Sequence, residues 1–179
     1  MLAGGAALSR PGRRFRPRSL AVLLLTAVAV YGLDHLSKWL VVSHLGLGEQ
    51  VPDGGPVVIR HVENRGAAFG LFPNLQGLFL VVAIVVTAYI LVLGHRLDVG
   101  FFRQSLLGAI LGGAVANAVD RFRQGYVVDF IDPAQVPVIN FKYATFNIAD
   151  MAIVLGIITA LFVFRGTPGR RHRETVEAG

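Results

Sequence analysis

The sequence contains no cysteine. That absence excludes disulfides, thiolate nucleophiles and cysteine-held metals together. Charge is scarce as well: Asp, Glu, Lys and Arg make up 16% of the 179 residues, and only 11 residues are acidic. With 54% hydrophobic residues, a chain so poor in charge reads as one small membrane protein and not as a soluble domain. A Gly-x-Ser-x-Gly elbow is missing, and Ser37 and Lys38 are helical neighbours that cannot face each other as a Ser–Lys dyad. The five histidines (His35, His44, His61, His95, His172) lack ligand spacing, which argues against zinc. Neither internal repeats nor an interdomain linker occur.

What is present is a set of apolar runs framed by arginine. The formal charge of +6 is concentrated at the ends. Arg10, Arg13, Arg14, Arg16 and Arg18 precede the first run, and Arg165, Arg170, Arg171 and Arg173 follow the last. Basic residues so placed mark membrane topology before they mark a nucleic-acid patch. Residues 1–19 read as a disordered basic tail and residues 165–179 as a second one. Between them, residues 20–164 form the domain. The first run, Leu20 to about Val42, is long enough to span a bilayer. Ala27-Val28-Ala29 resembles a signal-peptide cleavage site, but the apolar pattern continues through Trp39 to Val41, favouring a retained helix.

Turn signals follow at Gly46, Gly48 and Asp53-Gly54-Gly55-Pro56, then a short β-branched stretch, Val57–Val62, predicts a strand. Leu75–Leu93 predicts a second span and roughly Gln104–Val119 a third. Pro133 and Pro137 break residues 120–147, and Ile148–Phe164 is the fourth span. Both tails and the 95–103 loop are basic, while residues 43–74 and 120–150 are slightly acidic. The expectation is therefore an all-α, multi-pass protein with four transmembrane helices, both termini cytoplasmic and both large loops outside.

Helix direction then fixes depth. Asp34, about 14 residues into an outward-running helix, lies roughly 21 Å along it, with Lys38 beyond. Asn117, Asp120 and Arg121 fall at the outer end of the third span, and Asn147 and Asp150 at the outer start of the fourth. Asp129 sits in the loop between them, inside the apolar run Tyr126–Ile131. The intramembrane polar groups thus gather near one surface, which suits a site better than scattered structural roles. Each has a plainer reading. Asp34 and Lys38 are spaced as a helical ion pair, as are Asn117 and Arg121 for contact. Gly108 and Gly112 form a GxxxG packing face. Asn147 and Asp150 fit a helix N-cap with an acidic third position. Asn64 and Gly66 fit a turn, and Asp132 before Pro133 fits another. Asp129 alone has no such alternative. Two aspartates sharing a proton remain as the chemistry, with Asp129 and Asp150 the preferred pair.

Five blocks in order carry a resemblance: Asp34-His-Leu-Ser-Lys38, Asn64-Arg-Gly66-Ala-Ala-Phe69, Gly112-Gly-Ala-Val-Ala-Asn117-Ala-Val-Asp120-Arg121, Val127-Val-Asp129-Phe130 and Phe146-Asn147-Ile-Ala-Asp150. The sequence resembles the lipoprotein signal peptidase (signal peptidase II) family, bacterial membrane aspartyl proteases. The resemblance implies removal of signal peptides from prolipoproteins, just before a diacylglyceryl-modified cysteine. It assigns catalysis to Asp129 and Asp150, and site-shaping roles to Asp34, Lys38, Asn64, Gly66, Asn117, Asp120, Arg121 and Asn147. It also implies a small extracytoplasmic β-sheet cradle between helices 1 and 2, location in the bacterial inner membrane with the site near the extracytoplasmic face, and lipid-modified prolipoproteins and membrane lipids as partners. No metal or cofactor is needed, since water is the nucleophile; no nucleic-acid partner is expected, and a monomer is. Ala116, Met151 and Tyr143-Ala144-Thr145 depart from the family pattern without removing a catalytic group. The rivals are an ion- or proton-coupled transporter and a noncatalytic scaffold. Polar groups at a single depth do not make a transport route, and a scaffold has no need of buried carboxylates.

Overall fold

The computed structural model describes residues 17–66, 100–133 and 145–165. Three helices and three strands occur among them: α1 (Pro17–His44), β1 (Gln50–Val51), β2 (Val58–Asn64), α2 (Gly100–Gln124), β3 (Val127–Asp132) and α3 (Ile148–Arg165). The predicted span at Leu75–Leu93 and both tails before residue 17 and after residue 165 lie outside the described residues. The first, third and fourth predicted spans correspond to α1, α2 and α3. Among the described helices α1 is the one long and apolar enough to cross a membrane, over Arg18–His44, while Ile148–Val163 is a shorter apolar helix.

Glycines on α2 decide how the helices meet. A Cβ on Gly108 would lie 2.4 Å from the carbonyl oxygen of Leu23, and one on Gly112 2.4 Å from that of Ala27, both on α1. The GxxxG pair is thus a packing face, letting backbones approach as in membrane helix pairs. Gly113 faces the other way, against the carbonyl of Ala149 on α3. From Leu23–Gly108 to Lys38–Asn117 the contacts of α1 and α2 ascend together, so these helices run parallel. Contacts of α2 with α3 run from Gly113–Ala149 to Arg103–Val163, so α3 is antiparallel to both.

The surface is inverted relative to a soluble protein. Leu25, Val28, Phe101 and Phe162 are each about 70% exposed, whereas Asp34 and Asn147 are wholly buried and Lys38, Asn117, Asp120 and Asp129 nearly so. An apolar exterior around a polar interior is what lipid as solvent requires.

The sheet corrects the expectation of a cradle confined between helices 1 and 2. Its order is β1-β2-β3, all antiparallel, and the third strand comes from the segment after α2. That stretch reads as mixed in the sequence because its alternation is hidden: five of its six residues are buried. Helix α2 also outruns its predicted end at Val119, so Asp120 and Arg121 are helical. Gly125, with φ of 79°, then stops it by bonding its N–H to the Arg121 carbonyl in a left-handed cap, and β3 begins two residues on. Phe146 bridges Ile131 on the edge of β3 away from β2. The start of α3 is therefore held against the strand that carries Asp129.

Candidate active site

Two groups of carboxylates meet where the helix ends abut the sheet. The first surrounds Lys38. Its Nζ lies 2.6 Å from Asp34 Oδ2, 2.6 Å from Asp120 Oδ2 and 3.1 Å from Asn117 Oδ1. Lys38 donates hydrogen bonds to Asp120 and Asn117 and forms an ion pair with Asp34, so its ammonium is engaged on three sides. The helical ion pair of Asp34 and Lys38 is real, and α2 extends it into a cluster. Asp34 also reaches out of it: its Oδ1 accepts the backbone N–H of Ala149 at 2.8 Å. A carboxylate on α1 thereby satisfies one of the orphan donors at the start of α3. This partner has no signature in sequence, because it is a main-chain group 115 residues away.

The second group is Asp129 and Asp150. Asn147 Nδ2 donates to Asp129 Oδ1 at 2.7 Å, and Asn64 Nδ2 donates to Asp129 Oδ2 at 2.8 Å. Both amides are oriented from their other ends. Asn64 Oδ1 accepts the Gly66 N–H and Asn147 Oδ1 accepts the Asp150 N–H, so each –NH2 faces Asp129. Asp150 receives Asn117 Nδ2 on Oδ1 at 2.8 Å and the backbone N–H of Asn147 on Oδ2 at 3.3 Å. Asn147 and Asp150 thus form a reciprocal capping box, stabilising α3 by about 1 kcal/mol. The plainer reading of this pair is correct, and it coexists with membership of the cluster. Asn117 Oδ1 takes donors from both Lys38 and Asn147, which turns its –NH2 toward Asp150.

Burial pushes the Asp129 carboxyl up to about 6. The Asn64 donor opposes that rise, the negative charge of Asp150 adds to it, and Asn147 and Lys38 oppose it more weakly. Arg121, whose Nη1 donates to the Asn117 carbonyl at 3.2 Å, lies within electrostatic reach of Asp150, Asp129 and Asp120.

All ten residues singled out in the sequence therefore fall in one connected network. Asp132 does not join it: its buried carboxylate pairs with Arg60 Nη1 at 3.0 Å within the sheet, so it is a strand ion pair and not a turn residue. Asn64 ends a strand and Gly66 follows it, closing the small turn expected there. Arg60 escaped the sequence reading, although its place on a predicted strand was the available signal. Of the departing residues, Ala116 is fully buried, Met151 is exposed, and Tyr143-Ala144 lie outside the described residues. Chemically, the arrangement offers two carboxylates from separate elements, held by neutral amides, with burial raising the proton affinity of Asp129. That is a donor–acceptor pair for proton transfer.

Comparison with known proteins places this network in context. Residues 26–165 match the family described as Signal peptidase (SPase) II. A protein named Lipoprotein signal peptidase from Moorella thermoacetica is 39% identical over 154 residues, covering 84% of this chain and 97% of that one. Another of that name from Caldanaerobacter subterraneus subsp. tengcongensis is 38% identical over 152 residues, covering 80% and 97%. A solved bacterial membrane enzyme, determined by the in meso method at 2.3 Å, superposes with a TM-score of 0.71 at 24% identity over 87% of this chain and 94% of that one.

Proposed function

The chain belongs to the signal peptidase II family, and on that premise we propose that it is a membrane aspartyl endopeptidase acting on prolipoproteins. The substrate is a lipid-modified precursor, cut just before its diacylglyceryl-cysteine. One carboxylate of Asp129 and Asp150 takes a proton from water as the oxygen attacks the scissile carbonyl. The protonated partner donates to the carbonyl oxygen, and collapse of the tetrahedral intermediate breaks the C–N bond, with a proton passing to the leaving amine. The pair titrates as a unit, with one proton shared in the active form. Asn64, Asn117 and Asn147 hold the two carboxylates, Gly66 orients Asn64, and Arg121 supports the charge that develops. Asp34, Lys38 and Asp120 brace the helix ends. The enzyme works as a monomer, needs no metal or cofactor and contacts lipid and precursor but no nucleic acid.

Four spans in the bacterial inner membrane, with cytoplasmic termini and the site near the extracytoplasmic face, complete the reading. The parallel course of α1 and α2 and the antiparallel course of α3 support this topology, as does the gathering of polar groups at one end of the helices. The observation that carries the proposal is Asn147, which ties both aspartates together: its Nδ2 donates to Asp129 while its main chain and Oδ1 engage Asp150. The test is cleavage of a diacylglyceryl-modified precursor, read as a gel shift. Asp129→Asn and Asp150→Asn are each expected to lower turnover by about 10³-fold or more while the protein still inserts, within the range for lost acid–base catalysis. Near-normal turnover by either variant would overturn the pair.

A further inference from the structure

His35 stands beside the Lys38 cluster with no role in the reading above. Its ring stacks on Tyr31, one turn earlier on α1, with centroids 5.1 Å apart and planes 15° from parallel. Stacking fixes the plane of the imidazole and leaves only a small swing within it. The side chain is 39% exposed, yet Nδ1 itself is buried and has no hydrogen-bond partner among the described residues. A buried, unpartnered ring nitrogen is uncommon enough to require a reason. The nearby acceptor is Asp120 Oδ1, 3.9 Å away, on the carboxylate whose other oxygen holds Lys38 at 2.6 Å. A hydrogen bond of about 2.9 Å would need the ring to close by roughly one ångström.

We infer that His35 is a positioning residue: its Nδ1–H donates to Asp120 and fixes the carboxylate that aims Lys38 at Asn117, and through Asn117 orients Asp150. Every later link is a short contact already described, from Asp120 to Lys38, from Lys38 to Asn117 Oδ1, and from Asn117 Nδ2 to Asp150. The pairing also answers an imbalance. Asp34 and Asp120 bring two carboxylates to the single ammonium of Lys38, and a donor from α1 on the second oxygen of Asp120 stops it from rotating away. Arg121, next to Asp120 on α2, donates from Nη1 to the Asn117 carbonyl. Histidine fits because which nitrogen bears the proton is set by the acceptor it faces.

Two measurements test this. The first is the ¹⁵N chemical shifts of the His35 ring in the full-length protein in detergent, which report whether the proton sits on Nδ1. An Nδ1–H tautomer that is lost in Asp120→Asn is expected. An unchanged ring spectrum in Asp120→Asn, or an Nε2–H tautomer in the wild type, overturns the inference. The second rests on the proposed peptidase reading and uses cleavage of the lipidated precursor. His35→Ala is expected to lower kcat about tenfold with KM unchanged, and His35→Asn, whose amide can donate from the place of Nδ1, to restore most of it. Equal losses in both variants, or none in His35→Ala, count against it. Because the spectral arm needs no turnover, failure of the peptidase reading and failure of this inference are separable.

Discussion

Asp34 and Asp120 are answered by a cation, whereas Asp129 and Asp150 are answered by amides, although all four belong to one network and only Asp150 is partly exposed. On the proposed peptidase reading, the difference separates bracing from chemistry. A carboxylate 2.6 Å from an ammonium has its charge matched on the spot, and removing that match leaves an isolated ion. A carboxylate held by –NH2 groups is oriented just as firmly but its charge is only partly compensated, so a proton can come and go. Geometry is enforced in both regions; a full counter-charge at contact distance is supplied in one.

The sharpest way to break that contrast is to remove the cation. Lys38→Met leaves Asp34 and Asp120 facing each other across an apolar stem, at a cost of about 3–5 kcal/mol. Little folded protein is expected in detergent, and Asp34→Asn in the same chain should recover part of the loss. Thermal unfolding of the purified variants checks this, and a Lys38→Met protein with an unchanged Tm would mean that the cluster braces nothing.

The amide-held region should respond to pH instead. The folded-state value for Asp129 is raised to about 6, so the folded protein binds this proton more tightly than the unfolded chain does. Stability from this group is complete below the unfolded value and is lost as pH rises through about 6. A shift of this size corresponds to at most about 3 kcal/mol. Unfolding scans across pH 4.5–7.5 should show the wild type losing stability that Asp129→Asn retains. Parallel curves for the two proteins would remove the distinction between the regions.

The smallest effect is expected at Asn64. Its N–H favours the ionised form of Asp129, so Asn64→Ala should raise the proton affinity of that carboxyl further. The limb of the pH–rate profile governed by Asp129 then moves to higher pH, and a shift to lower pH would contradict the assignment.

Much of this was legible in the chain itself. Asp129 stood out because flanking valine, phenylalanine and isoleucine gave it no local partner, and among the described residues its side-chain partners, Asn64 and Asn147, come from other segments. Asp150 was ambiguous for a sound reason: the residue caps its helix and also meets Asn117, and sequence spacing reports only the first. Strand β3 was hidden because a strand buried on both faces loses its alternation. The extension of α2 through Asp120 and Arg121 was missed because charged residues look like a helix end until their partners are known.

Hydropathy, helix-end chemistry and arginine placement are properties of neighbouring residues, so the sequence alone determined the apolar helices, the expected orientation of the chain and the candidate aspartates. Which carboxylate meets a cation and which meets an amide depends mostly on groups well apart in the chain: Asp120 lies 82 residues from Lys38, Asp129 65 from Asn64 and Asp150 33 from Asn117. Only tertiary structure decided that, by packing glycine faces of α2 against α1 and α3 and by pairing Phe146 with β3. Such contacts arise from chain closure in three dimensions, and no local pattern encodes them.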